Sequence, residues 1–195
     1  MVPSIAVCCS GQGTNLQAIL DAIDRGRLRA RVAIVVSDRP DAFALERARR
    51  ADLLTVFIDP RSYKTREGFD RALARVVEET PARLMVLAGF MRLLSPGLVR
   101  RWKGRILNIH PALLPAFPGC HAVRDALRAG VQVTGVTAHF VDEQLDHGPI
   151  VLQGAVPVKK KDTEKTLHQR IHRLEHQLYP QAIQWVLDGK VKMKR

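Results

Sequence analysis

Short apolar runs alternate with amphipathic stretches through the first two thirds of the chain. Ser4 to Ser10 is an almost continuous apolar run and predicts a first strand. A helix follows, with Leu16, Ile19, Leu20 and Ile23 on one face and Gly26 as its stop. Val32 to Ser37 predicts a second strand, Phe43 to Ala51 a helix, and Leu54 to Ile58 a third strand. Arg66 to Glu79 reads as a helix, Leu84 to Leu87 as a fourth strand, and Ser95 caps a helix reaching Trp102. Ile106 to His110 is the fifth strand, and a Pro/Gly-marked loop is expected from Pro111 to about Gly130. The pattern then changes: Gln132 to Val141 and Ile150 to Val158 read as two longer strands with no helix between them. A final helix starts near Thr163, with an interruption expected at Pro180. Strand–helix alternation with strands apolar on both faces predicts an α/β fold. Its sheet should be mostly parallel and doubly wound, with helices on both faces and an antiparallel edge in the C-terminal third.

Composition narrows the class. The chain has 195 residues, 46% of them hydrophobic and 26% charged, as in an ordinary globular protein. No apolar run reaches the roughly 18 residues of a membrane span, and the N-terminus lacks the regions of a signal peptide. A cytoplasmic protein without a membrane partner is expected. Cys8 and Cys9 read as buried small hydrophobes, and Cys120 lies in the Pro/Gly loop without an obvious base. The balance of 31 basic and 19 acidic residues gives a net charge of +12, which favours anionic ligands. The basic residues are scattered, with modest clusters at 159–161 and 190–195, and no nucleic-acid motif accompanies them. Small anionic substrates, and not nucleic acid, are the expected partners.

The first strand runs into Ser10-Gly11-Gln12-Gly13-Thr14-Asn15-Leu16. Two glycines let the backbone approach a ligand, and free N–H groups at a helix start favour an anion. Leu16 stands where a dinucleotide fingerprint needs its third glycine, and no Gly-Lys-Ser/Thr follows, so a single phosphate fits better. The alternative is a tight turn with a Thr/Asn cap.

Ile106, Asn108 and His110 alternate onto one face of the fifth strand, and Pro111 keeps His110 out of helical geometry. Asn108 and His110 therefore stand near a strand C-terminus, where open α/β sheets place ligands. An amide beside an imidazole offers donors for a developing oxyanion and a proton carrier near neutral pH. The alternative is a hydrogen-bonded polar pair at a strand end. Gly135, Thr137 and His139 share one face of the next strand, and a loop with Asp142, Glu143, Asp146, Gly148 and Pro149 follows. One of those three acids is expected to orient His110; residue types alone do not select which, although a solvated loop is the reading for Asp142 and Glu143.

Five blocks together, Gly11 to Gln17, Leu87 to Pro96, Asn108 to Gly119, Gly135 to Val141 and Leu145 to Leu152, resemble the phosphoribosylglycinamide formyltransferases. These are the folate-dependent glycinamide ribonucleotide transformylases of purine synthesis. The resemblance spans nearly the whole chain. It implies a Rossmann-like formyltransferase fold in a single domain over 1–195, with 1–105 as the phosphate and substrate half and 106–195 as the catalytic and folate half. It makes Asn108, His110 and Asp146 the catalytic trio, with Thr137 and His139 supporting them. Gly11, Gly13, Thr14 and Asn15 would hold the substrate phosphate, and Glu175 the ribose. Arg66 would face the folate glutamate tail. Met91, Arg92, Leu93 and Leu94, with Val141, Asp146 and Asn108, would hold the pterin, largely by backbone contacts. The implied co-substrate is 10-formyltetrahydrofolate, with no metal, in a monomer or weak homodimer. The resemblance also implies a cis Leu114–Pro115 bond. Two departures stand out: Val123 replaces the second histidine of a His-x-His pair, leaving His121, and His172 replaces a lysine of some relatives.

A nucleic-acid-binding module without catalysis would leave the Asn108, His110 and Asp146 blocks unexplained, and three rival enzymes make other demands on the chain. A formyltetrahydrofolate hydrolase would use the same trio with water as acceptor, but would be expected to carry an N-terminal regulatory domain. An initiator-tRNA formyltransferase would suit the charge, yet is expected to need a C-terminal RNA-binding domain. A zinc metalloprotease is suggested by His172-Arg173-Leu174-Glu175-His176, which matches H-x-x-E-H but lacks a further Glu, His or Cys downstream.

Overall fold

The computed structural model describes residues 2–193, so Lys194 and Arg195 of the terminal basic cluster lie outside it. The apolar runs become strands β1 (Ser4–Cys9), β2 (Arg31–Ser37), β3 (Thr55–Phe57), β4 (Ala82–Leu87) and β5 (Ile106–His110). Helices α1 (Thr14–Asp24), α2 (Phe43–Arg50), α3 (Arg66–Glu78) and α4 (Pro96–Arg101) alternate with them. Helix α5 (Ala122–Arg128), strands β6 (Val133–Phe140) and β7 (Ile150–Pro157), and helix α6 (Glu164–Leu187) complete the order. One sheet runs β3-β2-β1-β4-β5-β6-β7. Pairings up to β5 are parallel, and β5–β6 and β6–β7 are antiparallel, as the change of pattern predicted.

The period of two along β1 divides the interior into two layers. Ile5, Val7 and Cys9 pack with Leu16 and Ile19 of α1 and Leu167, Ile171 and Leu178 of α6. Ala6 and Cys8 pack on the other face with Phe69 and Leu73 of α3 and Leu98 of α4. Because helices cover both faces, all six residues of β1 are buried, whereas β7 at the edge of the sheet buries only Val151 and Val156. Burial pushes the Cys9 thiol up to about 12 and the Cys8 thiol well above its ordinary value, so both behave as inert hydrophobes. Tyr179 fastens α6 to the sheet, its hydroxyl lying 2.9 Å from the carbonyls of both Leu87 and Leu107.

Two expectations need correction. Helix α6 runs through Pro180 without a break. Proline removes its own N–H bond and crowds the carbonyl four residues before it, but Leu178, Tyr179, Ala182 and Ile183, all buried, hold the helix on both sides of it. The stretch from Pro111 to Gly130 is not all loop, because it contains α5, which buries Ala122, Val123 and Ala126. With seven residues and no side-chain cap, α5 carries too short a period to stand out among its flanking prolines and glycines. Burial of Val123 in the core explains its apolar character: that position faces the interior. The Leu114–Pro115 peptide is cis.

Candidate active site

β1, β4 and β5 are neighbours in the sheet and parallel, so the segments leaving their C-terminal ends lie side by side. These are the glycine loop from Ser10, the segment from Gly89 to Ser95, and the Pro111 loop. Hydrogen bonds tie the first two: Ser10 N–H donates to Gly89 O at 3.0 Å, and Met91 N–H to Ser10 Oγ at 2.8 Å.

Gly13 is the N-cap of α1 with φ of 69°, and no side chain caps that end. The Thr/Asn cap of the alternative reading is therefore absent, and the Asn15 amide instead donates to Glu175 Oε2 at 3.0 Å. Among the described residues, the backbone N–H groups of Gly11 to Asn15 find no protein acceptor. Five such donors at a helix N-terminus could cradle an anion. Glu175 is buried beside it and reaches it from α6; burial raises its pKa, against the pull of the Asn15 bond. His172 Nε2 lies 3.7 Å from the same Glu175 oxygen. The H-x-x-E-H stretch thus directs its carboxylate to Asn15, and no group of three or more metal-ligating side chains occurs among the described residues.

At the end of β5, Asn108 and His110 point to one place, and the loop after β6 brings Asp146 to meet them. His110 Nδ1 lies 3.3 Å from Asp146 Oδ2, and Asn108 Nδ2 lies 3.5 Å from Asp146 Oδ1. The Gly119 N–H donates to Asp146 Oδ2 at 2.8 Å, fixing the carboxylate. Asp146 has φ of 49°, a left-handed conformation that Asp tolerates better than most residues. The preceding acids go elsewhere. Asp142 accepts from Gln144 N at 3.0 Å and lies 2.7 Å from His147 Nδ1, while Glu143 pairs with Arg100 at 2.8 Å. Of the three candidate acids, only Asp146 is placed at His110. Gly148 makes this loop possible, since a Cβ there would lie 1.9 Å from Phe140 O.

The second ring nitrogen of His110 is also engaged, with Nε2 2.7 Å from Phe117 O. A neutral imidazole carries one N–H and can donate to only one of these oxygens; the protonated ring donates to both. Phe117 has φ of 54°, unusual for an aromatic residue and worth about 1–3 kcal/mol of local strain. Thr137 steadies the start of this loop, donating to Ala112 O at 2.7 Å and accepting from Leu114 N at 3.0 Å. Phe117 and Gly119 act through backbone atoms, so no side-chain type marked them; only the Pro118-Gly119 turn signal was available.

His139 sits directly against Asn108. Its Nδ1 donates to Phe140 O at 2.9 Å, leaving Nε2 to accept the Asn108 amide at 3.2 Å. Burial lowers the pKa of His139 below 6.5, opposed by the Phe140 bond and by Asp146, so the ring is held neutral. The linkage follows from the sign of that shift: the unfolded chain takes the proton more readily. The stability that neutral His139 contributes is complete above about 6.5 and is lost as pH falls towards the lowered folded value. In urea melts, His139→Gln is expected to lose less stability than the unmodified chain between about pH 6.5 and 5. Parallel curves would remove this role.

The residues that the resemblance implies for the folate lie on the segment after β4, at the start of α3 and just beyond β6. Leu94 is buried, Met91 and Leu93 are 74% and 55% exposed, and the Arg92 guanidinium lies 4.3 Å from the Phe69 ring centroid. Arg66 opens α3 and is partly exposed, and Val141 N–H bonds to Ile106 O at 3.0 Å.

Unpaired donors at a helix start, an amide–imidazole–carboxylate cluster and an apolar-rimmed backbone segment, brought together at the C-terminal ends of β1, β4 and β5, suit a group-transfer enzyme with an anionic substrate. The formyl transferase family model matches residues 4–183, and the chain belongs to that family. Within it, the chain is 44% identical over 190 residues to phosphoribosylglycinamide formyltransferase of Escherichia coli (strain K12), covering 97% of this chain and 90% of the relative. It is 46% identical over 189 residues to trifunctional purine biosynthetic protein adenosine-3 of Bos taurus, covering 97% of this chain and 19% of that protein. The crystal structure of glycinamide ribonucleotide transformylase 1 from Symbiobacterium toebii superposes with a TM-score of 0.94 at 50% identity, over 96% of this chain and 89% of that one. The chain is a member of the phosphoribosylglycinamide formyltransferase family.

Proposed function

We propose that the protein transfers the formyl group of 10-formyltetrahydrofolate to the amine of glycinamide ribonucleotide, the reaction of de novo purine synthesis. The observation that carries this reading is the meeting of Asn108, His110 and Asp146 beside the Gly11–Asn15 cradle. In this reading the cradle holds the ribonucleotide phosphate, and Glu175, fixed by Asn15, faces the ribose. The pterin lies against Met91 to Leu94, with Val141, Asn108 and Asp146 around it, and Arg66 meets the acidic tail.

The co-substrate supplies an activated formyl carbon. A C–N bond forms between that carbon and the substrate amine, and the bond from the carbon to the folate N10 breaks. Asn108 and protonated His110 donate to the oxygen as it gains charge in the tetrahedral intermediate. His110 turns its Nε2 donor to this task when Phe117 O gives way, while Nδ1 stays on Asp146. Asp146 orients His110 and assists the proton that leaves the attacking amine and ends on N10. Positioning and hydrogen bonding by these side chains account for the chemistry without a metal.

The decisive experiment offers the protein 10-formyltetrahydrofolate with glycinamide ribonucleotide, with formyl-accepting tRNA, or with water alone. Formylglycinamide ribonucleotide and tetrahydrofolate are the expected products of the first incubation. Formate release at equal rates in all three would make the protein a hydrolase instead.

The cradle carries its own test. A Cβ at Gly11 would meet no atom within 4 Å, so Gly11→Val is expected to fold normally. By filling space beside the donors, it should raise KM for the ribonucleotide roughly tenfold and leave folate affinity unchanged. Gly13 is unsuitable for this purpose, because a Cβ there would lie 2.7 Å from Ala44 and φ is positive. Equal weakening of both ligands by Gly11→Val would make the loop structural.

A further inference from the structure

We propose that Asp70 and Ser10 are positioning residues for the folate co-substrate, pinning the two ends of Met91–Ser95 so that its central backbone stays open for recognition. The inference rests on reading this segment as the pterin site. At one end, Ser10 donates its hydroxyl hydrogen to Asp38 Oδ1 at 2.6 Å, which leaves a lone pair to accept Met91 N–H at 2.8 Å. At the other end, Asp70 Oδ2 accepts the Ser95 N–H at 2.5 Å. Between these ties, the N–H and C=O groups of Arg92, Leu93 and Leu94 have no partner among the described residues. Unpaired donors and acceptors on a fixed segment match the edge of a pterin, which presents both along one side.

Asp70 is an unusual choice for a structural tie. It is 2% exposed, its Oδ1 has no hydrogen-bond partner, and a carboxylate so placed is costly to bury. A neutral acceptor would cap the segment with less penalty. What the charge adds is strength, since charge-assisted bonds are about twice as strong as neutral ones. Arg92 contributes a third tie on the same helix, over the ring of Phe69, the residue before Asp70. A segment held in this way loses little freedom on binding, and preorganisation of that kind appears as affinity.

The test titrates tetrahydrofolate, kept reduced, into the whole protein by calorimetry. Asp70→Ala is expected to raise Kd about tenfold and Asp70→Asn, which keeps a neutral acceptor, about threefold. Turnover at saturating formyl folate and KM for the ribonucleotide should stay within about twofold of the unmodified enzyme. Ser10→Ala should weaken tetrahydrofolate from the other end, and Ser10→Thr, which keeps the hydroxyl, should restore it. Amide hydrogen exchange at Met91 and Ser95 should quicken in Ser10→Ala and Asp70→Ala respectively. Variants that melt earlier but bind tetrahydrofolate normally while folded would overturn the inference, as would equal losses for both substrates. An unmodified protein that makes formylglycinamide ribonucleotide yet gives this result keeps its function and loses only the anchoring role; one that takes up no tetrahydrofolate loses both.

Discussion

His110→Ala is expected to lower kcat by about a hundred- to a thousandfold, the usual cost of removing one donor from a developing oxyanion. His110 is 4% exposed and lies at the end of a strand whose other residues are mostly buried, so truncation leaves the backbone in place. Its partners Asp146 and Phe117 O lose a bond each, but Gly119 still holds Asp146. Binding of tetrahydrofolate should therefore change by no more than about threefold, which separates a chemical role from a scaffold role. Asn108→Ala is expected to fall in the same range by kcat. The two losses should combine to less than their product, since both donors serve one oxygen. Near-normal turnover in both single variants would remove the central assignment.

Much of this was legible in the residues because the relevant signals were local. Continuous apolar runs identified β1, β2, β4 and β5, and the loss of helical spacing after Val131 marked the antiparallel edge. The alternation of Asn108 and His110 along β5 puts both on one strand face, which the period of two makes legible from residue order alone. What stayed hidden depends on contacts across the fold. The choice among Asp142, Glu143 and Asp146 turns on which carboxylate the loop swings inward, and that is set by the tight passage at Gly148 under Phe140 O. Phe117 O and Gly119 N–H are main-chain groups, which every residue carries. Asp70 reads in sequence as an ordinary polar residue of a helix, and only burial against the Ser95 N–H distinguishes it. The helix through Pro180 misled for the converse reason: a strong local breaker was overruled by buried neighbours on both sides.

The site's division of labour also clarifies why His139 is present. With Nδ1 committed to Phe140 O, its Nε2 accepts from Asn108, and this fixes which way the Asn108 amide faces. The nitrogen of that amide is turned toward His139 and Asp146, both acceptors, and the longer contact, 3.5 Å to Asp146, is the one that would yield its hydrogen to the substrate oxygen while His139 keeps the amide oriented.

Asp146→Asn is the second change with a large expected effect, and it tests the carboxylate by charge alone. The substitution keeps size and shape and leaves one oxygen able to accept the Gly119 N–H, now 2.8 Å from Oδ2. The amide nitrogen would then occupy the place of Oδ1, facing the donor Asn108 Nδ2 at 3.5 Å, or the amide would flip and lose Gly119. Either way His110 Nδ1 no longer faces a negative charge at 3.3 Å. Turnover is expected to fall by about a hundredfold or more, as when an acid–base group loses its partner. The far-ultraviolet dichroism and the ribonucleotide Kd should remain unchanged, because Asp146 contacts neither the cradle nor the core layers. Asp142→Asn provides the matched control: its carboxylate serves His147 and Gln144 N in the exposed part of the loop, so kcat should stay within about twofold. Rapid-quench measurement of a single turnover on both variants isolates the chemical step. Should Asp146→Asn retain that rate while Asp142→Asn loses it, Asp142 would be the carboxylate on the reaction path, reaching it by a movement of the loop.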